Sequence, residues 1–312
     1  MILILSSTLL SVHASTLNLT VTTDKQSYSR YDQVQISGIV TQNGSPVTDS
    51  LVAVQVVDSR SNYAVTRTVN TGQDPQTPLL AEVNSVYLSD AGGNPLSTAA
   101  KNGLAYFKVT VSNYDLVSRT ILITLNIYDS NNVVRDQVSA EIPIPRRNTT
   151  GFIISAFIPS GALSGTAVVF ANAYTDWAST GGVPYCPERS ATFNISGPGG
   201  SPPSTPNGNQ GAYSLIVRLP QRAPIGSYKV YASSAHDGTI ASQNTTLTVV
   251  QLGDFNGDAV LDFSDTTAYV KNYLKYYADQ AWDPIADLNH DGIVNFADTT
   301  AYVKAYIIYW SG

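Results

Sequence analysis

The sequence predicts a mostly β protein: two β-sandwiches, the second inserted into the first, and then a small α-helical domain. Three observations carry that prediction. Apolar and polar residues alternate with period two through much of the first 250 positions, the pattern of half-buried strands. Charged residues make up only 13% of the 312-residue chain, while Tyr numbers 19 and Ser, Thr, Asn and Gly are frequent, a composition of turn-rich β modules. Near the C-terminal end, two acidic 12-residue stretches 33 positions apart each run into a segment of helical periodicity.

Taken in order, alternation marks strands at 17–21, 34–39, 52–56 and 64–69, and again at 213–217, 228–231 and 245–249. Neither set closes a sandwich alone, because three or four short strands leave one sheet without a covering layer. Together they make seven, the number of an immunoglobulin-like sandwich. Between them lie seven further candidates, at 81–88, 104–112, 119–128, 133–143, 150–157, 166–174 and 190–196. The expected domains are therefore a discontinuous Ig-like sandwich (15–75 plus 211–250) and a complete second sandwich (76–197) in one of its surface loops, where insertions are tolerated. Tandem modules with irregular edges are the alternative. The Pro/Gly/Ser-rich stretch 198–210 reads as a linker that does not pack.

Residues 1–14 are mostly apolar and end in Val12-His13-Ala14, which reads as the remnant of a secretion signal although no Lys or Arg precedes it. That run is short and broken by Ser and Thr, so the chain is expected not to be transmembrane. A single cysteine, Cys186, excludes an intrachain disulfide and is read as a buried thiol. Sequons at Asn18, Asn43, Asn148, Asn194 and Asn244 suit glycosylation of a secreted or cell-surface protein. Residues 1–250 are neutral, whereas 251–312 hold three Lys against nine Asp, so the whole net charge of −6 sits there. Such a concentration of carboxylate calls for cations. Nothing basic or interleaved with aromatics points to nucleic acid.

The acidic stretches are Asp254-Phe-Asn256-Gly-Asp258-Ala-Val260-Leu-Asp262-Phe-Ser-Asp265 and Asp287-Leu-Asn289-His-Asp291-Gly-Ile293-Val-Asn295-Phe-Ala-Asp298. Oxygen side chains at positions 1, 3, 5, 9 and 12 match the spacing with which an EF-hand loop surrounds Ca2+, a hard ion that takes six to eight oxygens. Position 7, Val260 or Ile293, supplies its backbone carbonyl. Two ions are expected, the second site the tighter. Its turn residue is Gly292, where the first loop has Ala259, whose side chain resists positive φ at a cost of about 1 kcal/mol. Helical periodicity then places Ala268, Tyr269, Tyr273 and Leu274, and likewise Ala301, Tyr302, Tyr306 and Ile307, broadly on one side of each of two helices. No helix precedes either loop.

This duplicated loop–helix pattern over 251–312, about a fifth of the chain, resembles a type I dockerin. The resemblance implies a calcium-dependent module that docks onto a cohesin-like partner. It carries partner contacts onto loop positions 10 and 11, Phe263-Ser264 and Phe296-Ala297, and onto Lys271 and Lys304 of the helices. The paired Phe departs from the small hydroxyl residues common there, and packing of loop onto helix is the alternative role for both. The near-identity of the copies allows either half to face the partner. Softer is the likeness of Tyr28-Ser-Arg-Tyr31-Asp32-Gln-Val34, Gly44-Ser-Pro46-Val47 and Leu219-Pro-Gln-Arg-Ala-Pro-Ile-Gly226 to macroglobulin-type or bacterial Ig-like modules, which implies a β-sandwich and no activity.

Three functions compete. The first is a secreted, non-catalytic surface or adaptor protein docked through its calcium module. The second is a carbohydrate-binding protein, with Trp177 beside Tyr174 and Tyr185 as the candidate for stacking on a polysaccharide, or else as a packed core residue. A structural subunit that self-assembles at the cell surface through exposed strands is a variant of these. The third is an enzyme, for which the residues offer little. His13, His236 and His290 are scattered, Glu82, Glu141 and Glu188 are the only glutamates, and no nucleophile elbow, His-Glu metal motif or phosphate-cradling loop is present.

Overall fold

The computed structural model describes residues 15–311 apart from 31, 76–78, 197–207, 221–222, 257–259, 280–285, 287 and 289–293. The first strands are β1 (Leu17–Leu19), β2 (Thr22–Thr23), β3 (Ser27–Ser29), β4 (Gln33–Gln42), β5 (Ser45–Pro46), β6 (Leu51–Val57) and β7 (Tyr63–Asn70). There follow β8 (Ala81–Ser89), β9 (Thr98–Ala99), β10 (Gly103–Asn113), β11 (Arg119–Tyr128), β12 (Val134–Ile144), β13 (Asn148–Ile158), β14 (Gly165–Tyr174) and β15 (Arg189–Ile195). The chain returns through β16 (Ala212–Arg218), β17 (Gly226–His236) and β18 (Thr239–Val250), then forms α1 (Phe263–Asp279) and α2 (Phe296–Ser311). The protein is mostly β, and none of its described helices is long and apolar enough to cross a membrane.

Strand pairing sorts these elements. One sheet has the order β1-β4-β16, with β2 and β5 also on β4, and a second runs β3-β18-β17-β6-β7. Their inner faces share one apolar cluster that includes Tyr28, Ile36, Val54, Tyr213, Val230 and Leu247. Strands from 81–195 pair among themselves as β13-β10-β8 and β12-β11-β14-β15-β9, around a second cluster with Phe107, Ile123, Leu125, Val169 and Phe193. Each fully buried side chain of this size contributes about 1.5–3 kcal/mol relative to exposure. Residues 17–70 and 212–250 thus build one two-layer unit, and 81–195 build another.

The longest departures from the expected strands are β17 and β18. Alternation marks 228–231 and 245–249, but both strands continue to a tight hairpin at Asp237-Gly238, where φ is 47° and 74°. An Asp-Gly pair supplies those positive angles at low cost. Ser233 and Ser234 hide the strand by breaking its apolar run, yet both are buried. Ser234 Oγ donates to the Leu51 carbonyl at 2.8 Å and meets Ser50 Oγ at 2.7 Å, so its hydroxyl is satisfied inside. Residues 1–14 and most of the expected linker lie outside the described residues. Of the expected linker, 208–210 are described, and they form a turn into β16 in which the Asn209 N–H donates to the Ala212 carbonyl at 3.0 Å.

The two β units meet along β7, the end strand of its sheet, whose outer edge would otherwise offer unpaired backbone groups. Side-chain amides of the other unit take the place of a neighbouring strand. Asn126 Oδ1 accepts the Thr66 N–H at 2.9 Å and its Nδ2 donates back to the Thr66 carbonyl at 2.5 Å, while Asn172 Oδ1 accepts the Thr68 N–H at 3.0 Å. Alongside, Arg67 grips Glu188 through two bonds of 2.6 and 2.7 Å, and its guanidinium lies 3.4 Å from the Phe170 ring centroid. Both charges are buried, so the fork geometry and the stacking must offset their desolvation. Cys186 is buried as expected, accepting the Val83 N–H at 3.4 Å, and burial pushes its thiol pKa up to about 11.

Candidate metal centre

The C-terminal segment leaves β18 through Gln251, which is fixed to the first β unit. Arg30 Nη1 donates to Gln251 Oε1 at 2.7 Å, and Arg30 Nε donates to the Ala223 carbonyl at 2.9 Å. Gly253 then turns the chain at φ 85°. A Cβ there would lie 3.0 Å from the Tyr302 ring, so the position needs glycine for both conformation and space.

Each helix begins with the same device. Asp262 precedes α1, and its Oδ1 accepts the Ser264 N–H at 2.7 Å; Asn295 precedes α2, and its Oδ1 accepts the Ala297 N–H at 2.7 Å. Three residues on, a carboxylate reaches back: Asp265 Oδ2 accepts the Asp262 N–H at 2.9 Å, and Asp298 Oδ2 accepts the Asn295 N–H at 2.7 Å. Together these are two capping boxes, with Asp where Glu is more usual. The second oxygen of each carboxylate closes its loop. Asp265 Oδ1 accepts N–H groups of Phe255 and Asn256 at 2.8 and 3.3 Å, and Asp298 Oδ1 accepts that of Leu288 at 2.8 Å. Both side chains are fully buried, their oxygens occupied by backbone donors at a helix N-terminus.

Of the twelve expected ligands, Asp254, Asn256, Val260, Asp262, Asp265, Asn295 and Asp298 are described, and Asp258, Asp287, Asn289, Asp291 and Ile293 lie outside the described residues. Among the described residues no three His, Cys, Asp or Glu gather as a metal cluster. The expected ligand set of each loop is oxygen only, the chemistry that fits a hard cation, and each last carboxylate accepts N–H groups from the first residues of its own loop.

Between the helices, Leu261 and Val294, the eighth residues of the loops, are fully buried with Tyr269, Ala286 and Tyr302. Tyr269 and Tyr302 stack with ring centroids 5.1 Å apart and planes 11° from parallel, and Phe255 lies against both. Burial, foremost, raises the pKa of the Tyr302 hydroxyl, which stays protonated at neutral pH. Within the apolar side of α2 Ile307 stands apart: it is 58% exposed, whereas Tyr302 is buried and Tyr306 partly buried.

Phe263 and Phe296 are 78% and 76% exposed, so neither packs its loop onto its helix. Ser264, Lys271, Ala297 and Lys304 are exposed as well. Sequence reasoning missed Val270 and Val303, which are also exposed; they fall seven positions after the two Phe residues, close to two helical turns and so on the same face. That spacing was available to find them.

Trp177 packs rather than standing free. Its ring stacks on Tyr63 of the other β unit, centroids 3.9 Å apart, beside a small cluster of Ala53, Leu122, Tyr174 and Ala178. Glu188 is taken by Arg67, and Glu82 by Arg189 at 3.2 Å. His236 lies 3.8 Å from Asp49 and 3.5 Å from Asp237. The sequon residues Asn18, Asn43, Asn148, Asn194 and Asn244 are all exposed.

No family model and no curated protein matches the chain. Among solved structures it is similar to the C-terminal domain of Wzt, with 13% identity and a TM-score of 0.32 over 39% of this chain and 76% of that one. A beta-glucosidase from Listeria innocua is matched at 6% identity and a TM-score of 0.27, over 44% of this chain and only 18% of the enzyme. The CARDB domain of a Pyrococcus furiosus protein is matched at 15% identity and 0.24, over 39% and 96%. At such scores none bears on activity.

Proposed function

We propose that the chain is a secreted, non-catalytic surface or adaptor protein whose residues 251–312 form a dockerin-like module that binds two Ca2+ and docks onto a cohesin-like partner. Its β region is read as an Ig-like sandwich formed by 15–75 and 211–250, with a second Ig-like sandwich, 76–197, inserted into it. The supporting observation is the pair of capping boxes, Asp262 with Asp265 and Asn295 with Asp298, each followed by an exposed apolar helix face starting at Phe263 or Phe296. Asp254, Asn256, Asp258, the Val260 carbonyl, Asp262 and Asp265 would hold one ion, and Asp287, Asn289, Asp291, the Ile293 carbonyl, Asn295 and Asp298 the second. Bound calcium would neutralise carboxylates that otherwise repel one another and tie each loop to its helix.

Binding of the full chain to an immobilised cohesin domain, followed by biosensor with Ca2+ and then with EDTA, tests this reading. Retention with calcium, loss on chelation and weakening in Phe263→Ala/Phe296→Ala are the expected results. Equal retention after chelation would remove it.

A further inference from the structure

Several edge strands of this protein have their outward backbone groups met from elsewhere. Side-chain amides close β7. On β8 the Val83 N–H reaches Cys186 Sγ at 3.4 Å, its carbonyl accepts from Arg189 Nε at 3.3 Å, and the Leu88 carbonyl accepts the Leu96 N–H at 2.9 Å. On β13 the Phe157 N–H donates to Asp136 Oδ2 at 2.7 Å. β18 is different. One side of it pairs with β17 along residues 239–249, but on the other side β3 meets only Thr248, Val249 and Val250. Among the described strands none pairs with 239–247 there.

The ladder itself shows which groups are left. The Thr248 N–H points away from β17, since it donates to the Gln26 carbonyl at 2.8 Å. Successive residues of an antiparallel strand direct these groups to alternate sides, and the register with β17 has no shift. Ile240, Ser242, Asn244 and Thr246 therefore also turn their N–H and C=O outward. All four side chains are exposed, as is that of Gln243. No charge, Pro or bulge blunts this edge anywhere in 239–250.

We propose that β18 is a self-pairing edge, through which two copies of this chain associate antiparallel about a twofold axis at Gln243. The four outward residues are symmetric about Gln243. With the axis there, Ser242 faces Asn244 of the second copy and Ile240 faces Thr246, each pair exchanging two bonds, about eight in all. A shift of register leaves some of the four unmatched. Charge favours a second copy over an unlike strand. A neutral edge meets itself without repulsion and offers nothing that selects a charged partner. Antiparallel pairing also sends the acidic segments, which carry the whole net charge, to opposite ends of the shared sheet. At about 3.4 Å per residue the strand carries Gln251 roughly 27 Å from the axis in each copy, well beyond a Debye length. The inference does not depend on the calcium reading above.

Sedimentation equilibrium of the full chain tests it. Asn244 opens an Asn-Thr-Thr sequon on this same edge, so the chain is measured without glycan. One strand pair is a small interface, so a dimer is expected toward the top of a range from about 10 μM to 1 mM chain. Gln243→Lys sets like charges directly opposite one another and should weaken the dimer at least about tenfold. Ser242→Pro removes an outward N–H that β17 does not use and should do the same; if it costs the fold, read by circular dichroism, Gln243→Lys decides. Gln243→Cys should give a disulfide-linked dimer under mild oxidation, because residues that face each other without exchanging bonds come closest. The buried Cys186 does not compete. Asn148→Cys, exposed on the other β unit, should crosslink far more slowly. A chain that stays monomeric through the range, a dimer that Gln243→Lys leaves unchanged, or equal crosslinking of the two Cys variants overturns the proposal.

Discussion

The protein has two internal seams, and they are built from opposite materials. Between the β units the seam is polar and directional: Asn126 and Asn172 complete the backbone of β7, and Arg67 is locked to Glu188. Between the halves of the C-terminal segment it is aromatic and symmetric, with Tyr269 on Tyr302 and only two hydroxyl pairs to set its register. A polar seam admits one arrangement, since any slip leaves buried donors, acceptors and charges unmatched. A stacked seam has less to lose from a small shift, since only the two hydroxyl pairs set its register. The difference teaches that how strictly a seam fixes its register depends on the chemistry of the contacts across it rather than on secondary structure.

Four measurements would break or sharpen that contrast. The largest effect is expected for Arg67→Ala, which leaves Glu188 buried and alone and should destabilise the β region by about 3–5 kcal/mol in chemical denaturation. A smaller loss would show that the seam is not a single buried pair. Next comes Asp265→Ala, which removes a carboxylate accepting three backbone N–H groups; about 1–3 kcal/mol should be lost from the helical transition, with the β transition unmoved. Movement of both transitions would join the two regions into one cooperative unit. Cys186 gives a subtler probe. Its thiol rises from an ordinary 9.0 to about 11 by burial, so its contribution to stability is complete at neutral pH and declines between about pH 9 and 11 as the unfolded thiol ionises first. A disulfide reagent should therefore label it only on unfolding, and rapid labelling of the native chain would contradict its burial. Smallest is Phe263→Ala, whose exposed ring should leave stability within about 0.5 kcal/mol, measured by thermal melt.

Much of this was legible in the chain because strands and loops are local. The alternation in 34–39 reports β4 since period two is all a half-buried strand requires, whereas 52–56 alternates in sequence although β6 is buried on both faces. The repeated Asp and Asn spacing reports two helix starts because a capping box is closed within four residues. Where Ser233 and Ser234 are buried by a hydroxyl network the local pattern ends the strand too early, and where Ile307 is turned outward it does not report the exposure. What covers β7 was beyond any local reading. Asn126 and Asn172 look like ordinary polar strand residues until the fold sets them against Thr66 and Thr68, 60 and 104 positions away. Trp177 likewise resembles an open stacking platform until Tyr63 closes on it. The sequence by itself determined the elements, the charge division and the paired acidic loops, each set by near neighbours along the chain. Only the tertiary structure decided which polar groups are sealed and which aromatic rings stay free, because those depend on partners that the backbone brings together from far apart.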